Sequence, residues 1–414
     1  MTKEQTMFEQ LSDVFTSAAF KYLTAVDANR QTSNQHEIGG LKQAGIGEHI
    51  GMPDNGIKVK LPATLVYLSD DPESPLVVED HVTWYDTRYN QSGRSAEWRM
   101  YYASNDVSER FSPEDFFLIA LTKDREVLMI FCPPDSEYEA QIRALFGVQN
   151  MVSKEKLSKV EVKEGKVVLP IRLMFARYGI EIGQDGTDVL EQILDKFGPH
   201  FPKTKHFSDF TRTLAREICP VTDPDSAIIE WMETEESAFR QLEKHIVKEK
   251  LREGFGEDGD DLDEFLRFSL SVQNRRKSRS GHAFENHIET ILSANGLPFE
   301  RGANTEGRQK PDFLFPSDQA YKSSDYPCDK LRMLGAKTTC KDRWRQVLVE
   351  ASRIKRKHLI TMEPAISEAQ TTQMDSMNLQ LVVPDALHST YQPTQANWLL
   401  SFHDFISDVK LATV

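Results

Sequence analysis

The chain has 414 residues, 39% of them hydrophobic and 28% charged, which is ample for two or three packed domains of about 100–200 residues each. No apolar run approaches the ~18–20 residues that a membrane-spanning helix requires, and the N-terminus lacks the apolar core of a signal peptide. The four cysteines are scattered without a CxxC pair, which argues against a disulfide framework or a structural zinc site. We therefore expect a protein of the reducing cytoplasm.

The net charge of −14 conceals two segments of opposite sign. Residues 222–264 contain fifteen acidic and five basic side chains, whereas residues 330–358 contain ten basic and two acidic ones. Only charges within a Debye length of about 8–10 Å act strongly on a bound ligand, so a basic face can bind phosphates on an acidic protein. A solvated basic helix is the alternative explanation of the second segment.

The first 165 residues carry patterns typical of a mostly β domain. A helix is predicted at about 8–23 from the spacing of Phe8, Leu11 and Phe15. Strands are predicted at 57–68, 80–85, 97–102, 116–121 and 126–132, several of them with period-two alternation and with Gly, Pro and Asn between them. Many short strands with turn residues between them favour a barrel or a sandwich. Residues 166–198, punctuated by glycines and holding one short helical pattern at 189–197, are predicted to be a linker or hinge.

From residue 199 onward the pattern changes to helices that alternate with strands. Helices are predicted at 207–218, 227–252, 262–271, 281–295 and 342–357. Strands are predicted at 313–315, 331–337, 358–361 and 379–383. This alternation predicts an α/β domain over 199–414, with a mixed sheet covered on both faces.

Two strand ends in this domain carry residues suited to phosphodiester hydrolysis. Pro311 and Asp312 open one predicted strand, and Lys337 ends another. A carboxylate can hold Mg²⁺ through oxygen ligands, and the metal polarises a phosphate and generates a nucleophile from water. A lysine can orient that water or neutralise the developing charge.

A second carboxylate is needed, and its usual nuclease position, two residues before the lysine, is Gly335. Glu350, thirteen residues after Lys337 on the predicted next helix, can take its place. Glu285, opposite the apolar stripe of helix 281–295, is a further candidate. Taken singly, a Pro-Asp pair is usually a turn and a lone glutamate on a helix is usually solvated. The combination of Asp312, Lys337 and Glu350 indicates a metal-dependent nuclease site.

The start of the predicted helix after Lys337 carries a possible base-reading triplet. Lys341 and Arg343 can donate to guanine O6 and N7, and Asp342 can accept from cytosine N4. This order of donor, acceptor and donor suits adjacent C:G pairs. An aspartate at a helix start also interacts favourably with the helix dipole, so Asp342 can serve as a cap, as a reader or as both.

These segments resemble the EcoRII-type restriction endonucleases, which recognise CCGG-like, CCNGG-like and CCWGG-like sites. The resemblance is carried by NRRKSRSG at 274–281, KPDFLFPS at 310–317, LRML at 331–334 and AKTTCKDRWRQ at 336–346. It is close from about 262 to 391 and fainter across 1–165.

The resemblance implies a C-terminal PD-(D/E)xK restriction-endonuclease-like α/β domain whose second acid has moved to the following helix. It implies catalytic roles for Asp312, Lys337 and Glu350, with Glu285 assisting, and Mg²⁺ held by Asp312 and Glu350. Lys341, Asp342 and Arg343 would read the outer CC:GG pairs. Arg345 and Tyr321, the latter matching a family tyrosine near the site, are further DNA-binding candidates.

The resemblance also implies that residues 1–165 form an effector domain, a B3-like pseudobarrel that binds a second copy of the DNA site and can occlude the catalytic cleft. Its candidate DNA readers are His36, Arg94, Glu97 and Arg99. A merely solvated strand is the alternative explanation for Glu97 and Arg99. Because a double-strand cut at a palindrome calls for two active sites, a homodimer is expected, as is a cognate DNA methyltransferase in the same system.

The sequence therefore predicts a type II restriction endonuclease of the subtype activated by a second site. One alternative is a non-catalytic DNA-binding regulator with a decayed nuclease domain, against which the intact Asp312, Lys337 and Glu350 argue. A repair nuclease without sequence specificity is another, and the triplet 341–343 speaks against it. The central base pair or pairs of the recognition site stay open.

Overall fold

The computed structural model describes residues 11–28, 36–54, 56–69, 76–91, 93–149, 151, 156–162, 189–256, 261–340 and 343–413. The chain divides into two compact units, one comprising 1–184 with 365–367 and the other comprising 185–364 with 368–414. Most of the predicted hinge at 166–198 lies outside the described residues, as do Lys341 and Asp342. No helix in the described ranges is both long enough and apolar enough to cross a membrane.

The N-terminal unit contains, within its described residues, an eight-stranded sheet. Its strands are β1 (Phe15–Tyr22), β2 (Glu37–Ile38), β3 (Val59–Tyr67), β4 (Leu76–Asp86), β5 (Trp98–Tyr102), β6 (Phe116–Thr122), β7 (Val127–Cys132) and β8 (Ser158–Val160). Their spatial order is β2-β5-β4-β3-β7-β6-β1-β8. Neighbouring strands are antiparallel except β3 and β7, which run parallel. Short helices α1 (Leu11–Val14), α2 (Ala25–Ala28), α3 (Ile46–Ile50) and α4 (Glu137–Leu145) connect them.

The sheet is apolar on both faces, and strand β6 shows this most clearly. Phe116 and Leu118 belong to one cluster of buried apolar side chains, whereas Phe117 and Ile119 belong to a second cluster. Successive side chains of a strand point to opposite faces, so each face of the sheet has its own core. The five strands predicted from the sequence in this unit are confirmed.

The predicted helix at 8–23 is wrong over most of its described length. After the single turn of α1, the chain forms β1, in which Ala18 pairs with Ala120 of β6. Phe15, Ala18, Ala19 and Phe20 are all buried. Because β1 is buried on both faces, its apolar residues follow one another without alternation, and such a run is easily mistaken for part of a helix.

The C-terminal unit begins with long helices and continues into a five-stranded sheet. Its helices are α5 (Leu190–Phe197), α6 (Thr204–Leu214), α7 (Pro224–Glu253), α8 (Leu262–Ala294), α9 (Asp318–Lys322), α10 (Trp344–Val347), α11 (Glu368–Ser376), α12 (Asp385–His388), α13 (Pro393–Ala396) and α14 (Phe402–Thr413). Its strands are β9 (Glu300–Arg301), β10 (Phe313–Phe315), β11 (Arg332–Lys337), β12 (Lys357–Thr361) and β13 (Leu379–Val382).

The sheet of this unit is mixed, as predicted. Its order is β13-β12-β11-β10-β9; β11, β12 and β13 run parallel, and β10 is antiparallel to both β11 and β9. The parallel arrangement places the ends of β11 and β12 at one edge of the sheet, where Lys337 pairs with Thr361.

Two predicted helices, 262–271 and 281–295, are in fact one helix, α8, of 33 residues. The polar stretch between them gives no apolar stripe, yet its arginines have partners on α7. The buried Arg279 donates to Glu235 at 2.8 Å, and Arg276 donates to Glu243 at 2.6 Å. These ion pairs hold the polar middle of α8 against α7, so an interruption in the apolar pattern does not mark an interruption in the helix.

The predicted helix at 342–357 is also wrong, because α10 spans only Trp344–Val347. Ala351 has φ +47°, a left-handed conformation that ends any right-handed helix. Val347, Ala351 and Ile354 are nevertheless buried, so the periodic apolar pattern here reflects a packed turn. Glu350 consequently lies in this turn rather than on a helix.

Candidate active site and nucleic-acid interface

Asp312 and Lys337 meet where β10 and β11 pair. Phe313 lies opposite Leu334 in the antiparallel register, which brings Asp312 beside the C-terminal half of β11. The Asp312 Oδ2 atom accepts a hydrogen bond of 2.7 Å from the Ala336 amide and one of 2.8 Å from Lys337 Nζ. Both side chains keep about a fifth of their surface exposed, at 18% and 19%, so a solvent-borne ligand can reach them.

Gly335 has a packing reason to be glycine. A Cβ atom at this position would lie 2.9 Å from Val347 Cγ2 of helix α10, closer than real Cβ contacts. The helix therefore packs directly on the strand backbone, and no acidic side chain fits two residues before Lys337. The second acid of the site must come from another segment.

Glu350 supplies a carboxylate at this place. Its Oε2 atom is buried and has no hydrogen-bond partner among the described residues. Burial, with the neighbouring Asp312 carboxylate assisting, raises the pKa of Glu350 to about 7, although Lys337 and Lys357 oppose the shift. The structure thus brings together Asp312, Lys337 and Glu350, the three residues that the sequence singles out.

The arrangement fits a divalent cation. A buried carboxylate oxygen without a donor is costly, and a cation bound there would satisfy it. The described residues contain no cluster of three or more His, Cys, Asp or Glu side chains able to hold a metal. Mg²⁺, however, is usually held by one or two carboxylates together with waters and substrate phosphates, which two carboxylates can provide.

Glu285 has a different partner. Its Oε2 atom accepts a hydrogen bond of 2.6 Å from Arg301 Nη2 on β9, and the same guanidinium contacts Glu289 at 2.8 Å and Asn286 at 2.9 Å. The structure therefore engages the Glu285 carboxylate in an ion pair and does not place it in contact with Asp312 or Lys337.

Tyr321 contacts the turn that carries Glu350, because its hydroxyl oxygen accepts a hydrogen bond from the Arg353 amide. It is 2% exposed, and its hydroxyl donates to Glu306, whose Oε2 atom is 2.6 Å away. Burial, with the Glu306 carboxylate assisting, raises the pKa of Tyr321 to about 12, so the hydroxyl keeps its proton. Glu306 is a residue that sequence reasoning missed, since it stands in a glycine-rich stretch where an acid ordinarily faces solvent.

The segment predicted to read bases follows Cys340, a residue with a buried hydrogen-bond partner. The Cys340 amide donates to the buried Glu363 carboxylate, and the Tyr391 hydroxyl donates to the Glu363 carbonyl at 2.5 Å. Arg343, which is exposed, donates through its own amide to the Cys340 carbonyl at 2.7 Å. The guanidinium of Arg345 lies over the Trp344 ring, 4.7 Å from its centroid. The Arg343 side chain is therefore exposed to solvent while its backbone is held by Cys340. Glu363 is a second residue that the sequence did not reveal.

The candidate readers of the N-terminal unit fall into two groups. Arg99 contacts Glu97 at 2.7 Å and Glu37 at 3.3 Å, and the Tyr85 hydroxyl donates to Glu37. Glu97 and Arg99 thus belong to one network across β2, β4 and β5, which we call the β5 ion-pair network (Glu37, Tyr85, Arg88, Glu97 and Arg99).

Arg94 and His36, the other two candidate readers, have partners outside this network. Arg94 is exposed and contacts Gln91 at 3.2 Å. The His36 ring lies edge-to-face against Tyr102, with 5.3 Å between the ring centroids. The structure does not gather the four candidate readers into a single contact network.

An aspartate and a lysine on paired strands of a mixed sheet thus lie near a half-buried glutamate. Residues 239–406 match the family model described as EcoRII C terminal. The resemblance to EcoRII-type restriction endonucleases is thereby confirmed.

Named relatives agree with this assignment. The chain is 42% identical to the type II restriction enzyme EcoRII of Escherichia coli over 188 residues, 45% of this chain and 46% of that protein. It is 27% identical to the type II restriction enzyme SsoII of Shigella sonnei over 149 residues, 33% of this chain and 47% of that protein. The chain thus spans about half the length of the curated relatives it matches.

Two solved structures of metal-depleted Ecl18kI also match. One holds uncleaved, modified DNA; it is 20% identical with a TM-score of 0.44, and the match covers 55% of this chain and 84% of that one. The other holds uncleaved DNA, with the same identity and coverage and a TM-score of 0.43.

Proposed function

We propose that the chain is a type II restriction endonuclease that hydrolyses both strands of DNA at a short palindrome with outer CC and GG, using Mg²⁺. The observation that carries this proposal is the buried oxygen of Glu350, which has no hydrogen-bond partner among the residues that the structure describes, next to the Asp312–Lys337 pair. The relatives of its C-terminal part are named type II restriction enzymes, which supports the same activity.

Each residue of the site has a chemical task in this proposal. Asp312 and Glu350 would hold the metal, which when bound polarises the scissile phosphate and lowers the pKa of a water molecule. The Ala336 amide fixes the orientation of the Asp312 carboxylate. Lys337, whose Nζ atom is 2.8 Å from Asp312, would donate to the attacking water or to the phosphate charge that develops.

Recognition is assigned to the segment after β11. Arg343, together with Lys341 and Asp342, would read the outer C:G pairs by donor–acceptor–donor contacts in the major groove. Arg345 and other residues of the basic segment 330–358 would contact the phosphate backbone. The proposed sites are CCWGG or CCNGG, cut before the first C.

Control and assembly complete the proposal. Two copies related by a two-fold axis would match the palindrome and cut both strands. The N-terminal residues 1–165 would form a B3-like effector domain that binds a second copy of the site, residues 166–198 the hinge, and residues 199–414 the catalytic domain. A cognate methyltransferase would protect the host DNA.

The test is cleavage of plasmid DNA by the full-length chain in Mg²⁺, with EDTA as the control. We expect double-strand cuts from the natural protein, and none from Asp312→Ala or Lys337→Ala, both of which should still bind site-containing DNA in the absence of metal. If either variant cuts at the natural rate, the site assignment is wrong. If the natural protein binds the site but never cuts it, the chain is a DNA-binding regulator instead.

A further inference from the structure

The turn that carries Glu350 has an unusual backbone. Ala351, the next residue, adopts φ +47°, a region that residues with a Cβ atom rarely enter. Such conformations persist only where the surrounding structure determines them, and they concentrate at functional sites. The position of the Glu350 carboxylate therefore depends on whatever holds residues 351–353.

Three side chains hold these residues through three successive backbone amides. The Ala351 amide donates to Thr305 Oγ1 at 3.4 Å, the Ser352 amide to Glu306 Oε2 at 3.3 Å, and the Arg353 amide to the Tyr321 hydroxyl oxygen at 3.2 Å. The three accepting side chains belong to the segment between β9 and β10 and to helix α9. They fix the backbone on which the carboxylate is mounted.

Glu306 is the centre of this arrangement. Besides the Ser352 amide, it accepts the Tyr321 hydroxyl at both carboxylate oxygens, at 2.8 and 2.6 Å. Removal of its carboxylate thus frees one turn amide directly and leaves the Tyr321 hydroxyl, which supports the next amide, without its acceptor. No other described side chain contacts both Ser352 and Tyr321 in this way.

We propose that Glu306 is a positioning residue for the proposed endonuclease: acting through the Ser352 amide and Tyr321, it holds the turn so that the Glu350 carboxylate faces Asp312 and Lys337. The inference rests on the proposed function, since it concerns the same site. Glu306 itself touches neither metal nor DNA. Its effect is on how well the two carboxylates converge on one cation.

The structure offers graded variants and a matched control. Glu306→Ala removes both acceptors, Glu306→Gln retains one amide oxygen for Tyr321 or Ser352, and Tyr321→Phe removes only the hydroxyl. The control is Glu300→Ala, because Glu300 also accepts a backbone amide, that of Asp318 at 3.0 Å, at the start of the same helix α9. Glu300 has no described contact with residues 350–353.

The first readout separates positioning from folding and from DNA binding. For Glu306→Ala we expect the single-turnover rate at saturating DNA to fall about 10–100-fold, the range for residues that orient metal ligands, while metal-free DNA affinity stays within about twofold, since no base or phosphate contact is lost. Glu306→Gln should lie between Glu306→Ala and the natural protein. Glu300→Ala should match the natural protein in both measurements.

The second readout does not require cleavage. Mg²⁺ that binds only the folded state raises its thermal midpoint by an amount set by the ratio of the Mg²⁺ concentration to its dissociation constant, so the Mg²⁺ concentration needed for a given rise reports how well the carboxylates converge. We expect about tenfold more Mg²⁺ for Glu306→Ala and Tyr321→Phe. The double variant should need no more than either single one, because both act through the same contact.

The outcomes separate this inference from the proposed function. If Glu306→Ala, or Glu306→Gln should the alanine variant fail to fold, keeps the natural rate and the natural Mg²⁺ requirement, Glu306 has no positioning role, although the endonuclease assignment stands. If the natural protein shows a Mg²⁺-dependent rise in midpoint but no cleavage, the proposed function fails, and the shift between variants still decides the role of Glu306. If Mg²⁺ neither raises the midpoint nor supports cleavage, both are overturned.

Discussion

The candidate active site and the β5 ion-pair network contain similar residue types, but their carboxylates differ in whether they already have hydrogen-bond or ion-pair partners. In the candidate active site, Glu350 keeps a buried oxygen that has no hydrogen-bond partner in the described part of the chain. In the network, Arg99 is bound to both Glu97 and Glu37, so the charges compensate one another. A ligand of the first site can bind an acceptor that has no partner, whereas a ligand of the second must displace existing ion pairs. Such ion pairs contribute little stabilising free energy when they are partly exposed. The first region therefore offers an unsatisfied acceptor, whereas the charges of the second region are already compensated within the protein.

The largest expected effect on the cleavage rate comes from changing Glu350, whose carboxylate has the buried oxygen without a partner among the described residues. Glu350→Gln should lower the cleavage rate about a thousandfold, because metal stabilisation of the transition state is worth several kcal/mol. Glu285→Gln should lower it far less, since the Glu285 carboxylate is engaged by Arg301. Single-turnover cleavage by the two variants provides the comparison. Equal losses would mean that Glu285 leaves Arg301 and joins the metal site.

The C-terminal unit should lose stability as the pH falls, because its sheet contains the buried His358. Burial lowers the pKa of His358 to about 4, whereas an exposed histidine in the unfolded chain has a pKa of about 6.5. The unfolded state therefore binds the proton first, and the contribution of His358 to stability is complete above pH 6.5 and is lost as the pH falls toward 4. Over that interval the free energy of unfolding should fall by about 3 kcal/mol relative to His358→Gln, at about 1.4 kcal/mol per pKa unit.

The measurement is urea unfolding of both proteins between pH 4 and pH 8. His403→Gln, at an exposed position, is the matched control for the loss of a histidine. A difference between natural protein and His358→Gln that is the same at all pH values would show that His358 is not held neutral by burial.

Substitution of Arg343, in the segment proposed to read bases, should have an intermediate effect on DNA binding. Arg343→Ala should weaken DNA binding by about 1–3 kcal/mol per lost bidentate contact and should reduce cleavage more than binding. Lys355→Ala, which removes an exposed positive charge of the same basic segment, should weaken binding equally for all sequences. Competition binding with site-containing and site-free duplexes separates the two. If Arg343→Ala loses the same affinity for both duplexes, Arg343 contacts phosphates rather than bases.

The smallest effect is expected in the β5 ion-pair network. Arg99→Ala should lower the preference of the full-length chain for two-site over one-site plasmids by a few-fold, because partly exposed contacts contribute about 0–1 kcal/mol each. Cleavage of one-site plasmids should not fall. If the ratio of the cleavage rates on two-site and one-site plasmids is unchanged, Arg99 has no role in the proposed effector function.

How far the sequence could predict the site depends on the distance over which each residue acts. Asp312 and Lys337 were found because each stands at the end of a short apolar strand, and strand ends are visible as local patterns. Glu350 was found by its offset from Lys337, although its predicted helix is a turn in the structure. Gly335 was recognised as a missing acid, but its packing against Val347 required the structure.

Glu306 and Glu363 escaped detection for a common reason. Each acts on backbone amides far along the chain, Glu306 on Ser352 and Glu363 on Cys340, and no spacing or periodicity marks such a partner. The fold shows the same limit. Strand β1, buried on both faces, and the polar middle of helix α8 take their structure from neighbouring elements rather than from their own patterns.

The most direct test is to sequence the DNA ends that the full-length chain produces from genomic DNA in Mg²⁺, with Glu350→Gln in parallel. We expect double-strand ends that all fall at one palindrome with outer CC and GG, and almost none with the variant. Ends without a shared sequence, no ends at all, or equal numbers of ends from the variant would contradict a site-specific endonuclease built on Asp312, Lys337 and Glu350.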